Sequence, residues 1–238
     1  MKTGLSEKIK SRGYWRINFQ PLVAAQKLPT VGACKDLIQS NSVELRGWDY
    51  PHFPQRVDAD SGAETGNDHY QGWVDWEAHK EFWRIYQSGQ FIHYLGLRED
   101  WMDEDSWFTS ANQIQRKPGE ALSVVGTVYQ ITEIFEFISR LTKRGLYEEG
   151  ARIALSLQNT AQRGLWLNSP NRVPLSGRYI TGASEISFDK EYAKDDLTAN
   201  SKELAFDIII QIFDRFGWHA PNSASIKRDQ EDLLAKRL

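Results

Sequence analysis

Cysteine is almost missing from this chain: Cys34 is the only one in 238 residues. A lone thiol closes no disulfide framework and supplies no cysteine-based zinc site. No apolar run approaches the roughly 18 residues that suggest a membrane span. Residues 1–10 carry lysines but no apolar stretch, so no signal peptide is expected. Charge of one sign is lacking as well. Lys and Arg number 29 against 32 Asp and Glu, a net charge of −3, which removes any global electrostatic case for a nucleic-acid partner. There is no Gly-rich phosphate loop, no G-x-S-x-G turn, no H-E-x-x-H pair, no C-x-x-C and no internal repeat. The class left standing is a soluble, cytoplasmic, globular protein with no membrane partner.

What the chain has in excess is tryptophan. Nine are present, and aromatics make up 12% of a sequence whose charged fraction is 26%, which does not describe a disordered chain. Seven of the nine (Trp15, Trp48, Trp73, Trp76, Trp83, Trp101, Trp107) fall in the first half. That half reads mostly as strands. Residues 13–22 alternate Trp15, Ile17 and Phe19 with Arg16 and Asn18. Thr30 caps a short helix over residues 30–39, and residues 42–48 form a second strand. Residues 61–68 read as a loop, and residues 71–79 as a strand. Residues 82–95 read as a hairpin around Ser88-Gly89, pairing Ile85 with Ile92, Trp83 with Tyr94 and Arg84 with His93.

The second half is more aliphatic. A helix is expected over 123–144, a strand over 149–157, a loop over 168–182 and a short strand over 184–188. A last helix over 201–216 has Asn200 and Glu203 placed as a capping box. The expectation is α+β: an antiparallel sheet with helices segregated to one face, in a single domain over residues 1–238. The ends, about 1–12 and 221–238, read as loose, the second as helical or loose.

Three groups could carry chemistry. Asp75, Glu77 and His79 fall on one face of a strand by a period of two. No cofactor is expected, though two carboxylates and an imidazole there could hold a divalent metal and hydrolyse phosphodiesters. No second acidic or basic partner motif follows, and the alternative is the wet side of an edge strand. The second group is Arg46, Trp48, Tyr50, His52 and Phe53, crowded into the loop 46–54. Aromatics with Arg and His offer stacking and hydrogen bonding to a protein partner or a small ligand, and the alternative is that they cover the sheet edge. The third is the hairpin set Trp83, Tyr86, Phe91, His93 and Tyr94, which could stack bases but fits a packed core. The acids Glu99, Asp100, Asp103, Glu104 and Asp105 lack calcium-loop spacing and read as a solvated loop. Cys34, on an apolar helix face, reads as a buried thiol.

Several words of the sequence resemble a known group. Gly13-Tyr-Trp15, Arg46-Gly-Trp-Asp-Tyr-Pro-His52, Phe82-Trp-Arg-Ile-Tyr-Gln-Ser-Gly-Gln-Phe91, Glu99-Asp-Trp101, Thr132-Glu-Ile-Phe-Glu-Phe137 and Phe216-Gly-Trp218 are similar to uncharacterised bacterial proteins. In these, a similar module often accompanies an AlbA-type, Schlafen-like nucleic-acid-binding domain. The resemblance runs from about residue 13 to 218, and it carries no assigned catalytic residues. It implies a companion module whose partner, a separately encoded effector, works in a bacterial nucleic-acid or phage-defence system. The leading expectation is a non-enzymatic interaction subunit using Arg46, Trp48, Tyr50, His52 and Phe53. The rivals are a metal-dependent hydrolase at Asp75, Glu77 and His79, and a nucleic-acid reader.

Overall fold

Alternation along Tyr14–Pro21 places Trp15, Ile17 and Phe19 inside and Tyr14, Arg16 and Asn18 outside, and this strand (β1) is an interior strand of a seven-stranded sheet. The computed structural model describes residues 2–25, 27–104, 116–167 and 174–237. Asp105, Trp107 and the first part of the loop expected at 168–182 lie outside them. In chain order the other strands are β2 (Val43–Glu44), β3 (Asp49–Tyr50), β4 (Ser61–Thr65), β5 (His69–Trp76), β6 (His79–Tyr86), β7 (Phe91–Gly96), β8 (Ala121–Ser123), β9 (Ala151–Gln158), β10 (Gly164–Trp166) and β11 (Glu185–Tyr192). The large sheet runs β11-β9-β1-β7-β6-β5-β4 with every neighbour antiparallel. Two small ladders, β2 with β3 and β8 with β10, complete the described strands.

The helices are α1 (Leu5–Lys10), α2 (Val31–Asn41), α3 (Val124–Lys143), α4 (Lys194–Ala199), α5 (Ser201–Arg215) and α6 (Ser223–Leu234). Thr30 and Ser123 cap α2 and α3 with their side-chain oxygens, each accepting from a backbone N–H three residues on. Helices α2 to α6 share one buried cluster with the inner residues of the sheet. Within it Phe137 of α3 meets Phe19 and Phe91, at ring-centroid distances of 6.4 and 5.2 Å. The fold is thus α+β, with a large antiparallel sheet and separate helices. Helix α1 takes the opposite face, where Leu5 and Ile9 cover Trp73 and Phe82. Segment 1–12 holds α1 where a loose end was expected, and 221–238, read as helical or loose, holds α6; both helices are anchored by buried residues.

Several local readings are corrected. The 82–95 hairpin forms, but Ile85 pairs with Phe91, Arg84 with Ile92, Trp83 with His93 and Phe82 with Tyr94. The loop holds three residues, not two: Tyr86 N–H donates to Gln90 O, and Gly89 sits at φ +85°. That is the extra left-handed residue of a bulged turn, and it slips the register by one. A slip of one residue exchanges the faces that oppose each other, so His93 joins Trp83 inside and Tyr94 turns outward.

The strand expected over 71–79 stops at Trp76. Glu77 and Ala78 make a two-residue turn, with Glu77 at φ +33°, and His79 begins the next strand opposite Trp76. No Gly, Asn or Pro marks that turn. The segment 61–65, read as loop for its small polar residues, is the edge strand β4. Gly62 has to be small because a Cβ there would lie 2.7 Å from Trp73 Cζ2.

The acids expected on a solvated loop are partly interior. Asp100 is buried and paired twice with buried Arg163, at 2.7 Å for each oxygen. Glu99 accepts from Ser123 N–H at the start of α3. A buried carboxylate needs such partners. Asn200 does precede α5, but its side chain makes no capping hydrogen bond.

Candidate functional site

The hairpin register and the loop 46–54 meet over β6. Residues Glu81, Trp83 and Ile85 of β6 face the helix layer, and so do Trp76 and Val74 of β5 and His93 and Phe91 of β7. At the centre is Glu81, whose side chain is 2% exposed. It accepts from the backbone N–H of His52 at 3.0 Å and from His79 Nε2 at 2.7 Å. His93 Nε2 lies 3.0 Å from Oε1, the oxygen that takes the His52 N–H, close enough for an ion pair but off the line of a hydrogen bond. The second nitrogen of His93 pairs with the Tyr50 hydroxyl at 3.0 Å.

Burial alone would push the Glu81 carboxyl up. The charge of His93 and the hydrogen bond from His79 outweigh it and hold this carboxyl well below the usual range. Glu81 therefore stays a carboxylate, an acceptor only, so His79 Nε2 must donate. Burial, with Glu81 and Glu133 nearby, holds the Tyr50 phenol well above its ordinary value, so it remains a neutral hydroxyl.

The loop is tied down by a second carboxylate. Asp49 binds His52 Nδ1 and accepts from Phe53 N–H, and Trp83 Nε1 donates to His52 O at 2.7 Å. Over this base lies Trp48. Its ring stacks on His52 at 4.4 Å, meets His79 at 4.7 Å and takes the edge of Trp76 at 5.5 Å. Trp48 Nε1 is buried without an acceptor among the described residues. Beside it Arg46 forks onto Glu133 at 2.8 and 2.7 Å and reaches Gln130 at 3.2 Å. Burial pushes the Glu133 carboxyl up, and Arg46 only partly offsets that.

The five residues expected to bind through this loop are thus brought together but not equally presented. Tyr50 and Phe53 belong to the core, at 4% and 6% exposure. Trp48 and His52 are partly exposed, and Arg46 is open to solvent on its outer side. Their anchors Glu81 and Glu133, and the neighbour Trp76, were not singled out from the sequence, and His93 was named only with the hairpin aromatics. The one signal was the alternation His79-x-Glu81, which becomes readable once the turn at 77–78 is known.

The trio Asp75, Glu77 and His79 is separated. Asp75 points to the α1 face, Glu77 lies in the turn, and His79 points to the opposite face. Asp75 is enclosed by ammonium groups: Lys2 at 2.6 Å, Lys8 at 2.9 Å and Lys80 at 3.3 Å. Burial raises its pKa, but the bonds from Lys2 and Lys8 win and lower it. Three cations at that range repel a divalent ion. Among the described residues no group of three or more His, Cys, Asp or Glu side chains is placed to hold a metal.

The hairpin set is also divided, with Trp83, Phe91 and His93 inside and Tyr86 and Tyr94 partly exposed on the other face. Burial pushes the Cys34 thiol up to about 11, which leaves it protonated and a poor nucleophile at neutral pH. No described helix is long and apolar enough to cross a membrane.

No protein-family model, no curated protein and no solved structure matches this chain.

Proposed function

We propose that the protein is a non-enzymatic interaction subunit whose protein partner, a separately encoded effector, docks at Trp48, Trp76, His79 and Arg46. One observation carries this reading: two tryptophans remain partly exposed side by side, on a base fixed by Glu81 and Asp49. Trp has few rotamers to lose on binding, Arg46 is already held by Glu133, and both residue types dominate interface hot spots. The bacterial nucleic-acid or phage-defence setting rests on the sequence resemblance alone.

Tyr50 no longer serves as a probe, since its phenol is buried against His93 and truncating it would damage the core. The test is co-purification of the tagged protein from its own host, repeated with Trp76→Ala and Trp48→Ala. Each variant should lose the partner retained by wild type, with affinity reduced about 30-fold. Far-ultraviolet circular dichroism should stay unchanged. Folded variants that retain the partner at wild-type level would refute the reading.

A further inference from the structure

The face of the sheet opposite the helix layer carries a second surface, independent of the Trp48 patch. Helix α1 is the described helix that packs there, and it covers the end near Trp73 and Phe82, with Tyr14 and Tyr94 at its border. Cross-strand register sets out the rest in two rows. One row runs Phe82–Tyr94–Arg16–Ser156, and the next runs Arg84–Ile92–Asn18–Ala154. Neighbouring strands lie about 4.8 Å apart, and the rows about 6.8 Å apart along the strands.

The outward side chains of the three central strands β6, β7 and β1 include no acid. They include Arg16, which is exposed and makes no hydrogen bond or ion pair among the described residues. They also include Arg84, held by Gln71 Oε1 at 2.7 Å and by the Tyr86 hydroxyl at 3.0 Å. Lys10 adds a third charge 4.8 Å above the Tyr94 ring. The acids of this face sit on the flanks: Glu64 on β4, and Glu185, Asp189 and Glu191 on β11. Asp75 is already neutralised by its lysines. The net charge of −3 therefore hides a positive midline between acidic borders.

Tyr94 and Tyr86 are partly exposed beside these charges. Asn18 and Gln20 line a hollow of about 230 Å³ with Arg152, Ala154 and Asp189. Aromatic faces for stacking, amides for base edges and unpaired guanidinium for phosphates are the parts a sheet uses on unpaired bases. An acidic peptide would use the charges but leave the tyrosines and amides idle. We infer that this face binds single-stranded nucleic acid, with Lys10 swinging off the Tyr94 ring onto a phosphate, bases on Tyr94 and Tyr86, and the backbone along Arg16 and Arg84.

The test is fluorescence anisotropy with labelled single-stranded RNA and DNA of about 12 nucleotides, within the usual site size. A duplex of the same sequence and a polyglutamate peptide serve as rival probes. Wild type should bind a single strand at about 50 mM salt and bind it more weakly as salt rises. Arg16→Glu should weaken binding about tenfold and flatten the salt slope by about 0.7. Tyr94→Ala should weaken it about tenfold at unchanged slope. Trp76→Ala, on the other surface, should change nothing, so this result stands or falls apart from the partner reading. The inference fails if neither strand binds, if both face variants bind like wild type, or if duplex or polyglutamate binds as tightly.

Discussion

Glu81 holds three polar neighbours with one buried carboxylate, and each does a different job. His52 N–H pins the loop, His79 faces the surface, and His93 ties the site to Tyr50 in the core. Glu81→Gln keeps the shape and one acceptor but removes the charge that both imidazoles meet. Breaking a buried charge pair from one side costs about 3 kcal/mol at the low end, which applies here because His79 still reaches water. Urea unfolding should show that loss as a lower midpoint at an unchanged slope. A loss below about 0.5 kcal/mol, the range of an ordinary surface change, would show that the cluster is not held by this carboxylate. The sequence placed chemistry in this region through Arg46, Trp48 and His52, because aromatic crowding is visible in a string. It hid Glu81, and it grouped His93 with the hairpin aromatics instead, because a buried charge announces itself only through partners that are distant in the chain.

At the scale of elements, caps and apolar stripes were legible and registers were not. The β-period of β1 and the helical period of α3 are local properties, and both elements fall where the sequence put them. The pairing of β6 with β7 depends on whether Gln87, Ser88 and Gly89 form a loop of two or three residues, which the Ser-Gly pair alone leaves open. The turn at Glu77-Ala78 lacks the residues that usually mark one, so a single long strand was read and Asp75 was grouped with His79. Two caps that look alike in sequence separate in the structure. Thr30 Oγ1 accepts from Ala33 N–H at 3.1 Å, whereas Asn200 makes no such bond. Thr30→Ala should therefore cost about 1 kcal/mol and Asn200→Ala only a few tenths, read from thermal or urea unfolding. Equal losses from the two would contradict these cap geometries.

For the molecule as a whole, the layered α+β arrangement could be read because strands and helices do not alternate along the chain. The sharing of charge between the two sheet faces could not, since it depends on register. That sharing sets the response to acid. Glu81, Asp75, Asp103 and Glu104 all have lowered pKa values in the folded state, each through cationic or imidazole partners that outweigh any burial. A carboxyl with a lowered folded pKa binds protons more readily when unfolded. Its contribution is complete above the unfolded value, near 4 for these groups, and is lost as pH falls through the folded one. Glu99 and Glu133 are shifted upward by burial and act in the opposite sense, favouring the fold as they take up protons. Asp58, Glu64 and Asp189 are lowered too, and seven groups against two predict a net loss of stability below about pH 4.5, while Glu99 and Glu133 act above it. Urea midpoints measured from about pH 7 down to 3 should trace that acid limb. Repeating them with Glu81→Gln should flatten it, because the group with the largest downward shift no longer titrates. An acid limb of equal steepness in the variant would mean that Glu81 is not held as a carboxylate in the folded protein, and that the loop 46–54 is fixed by other means.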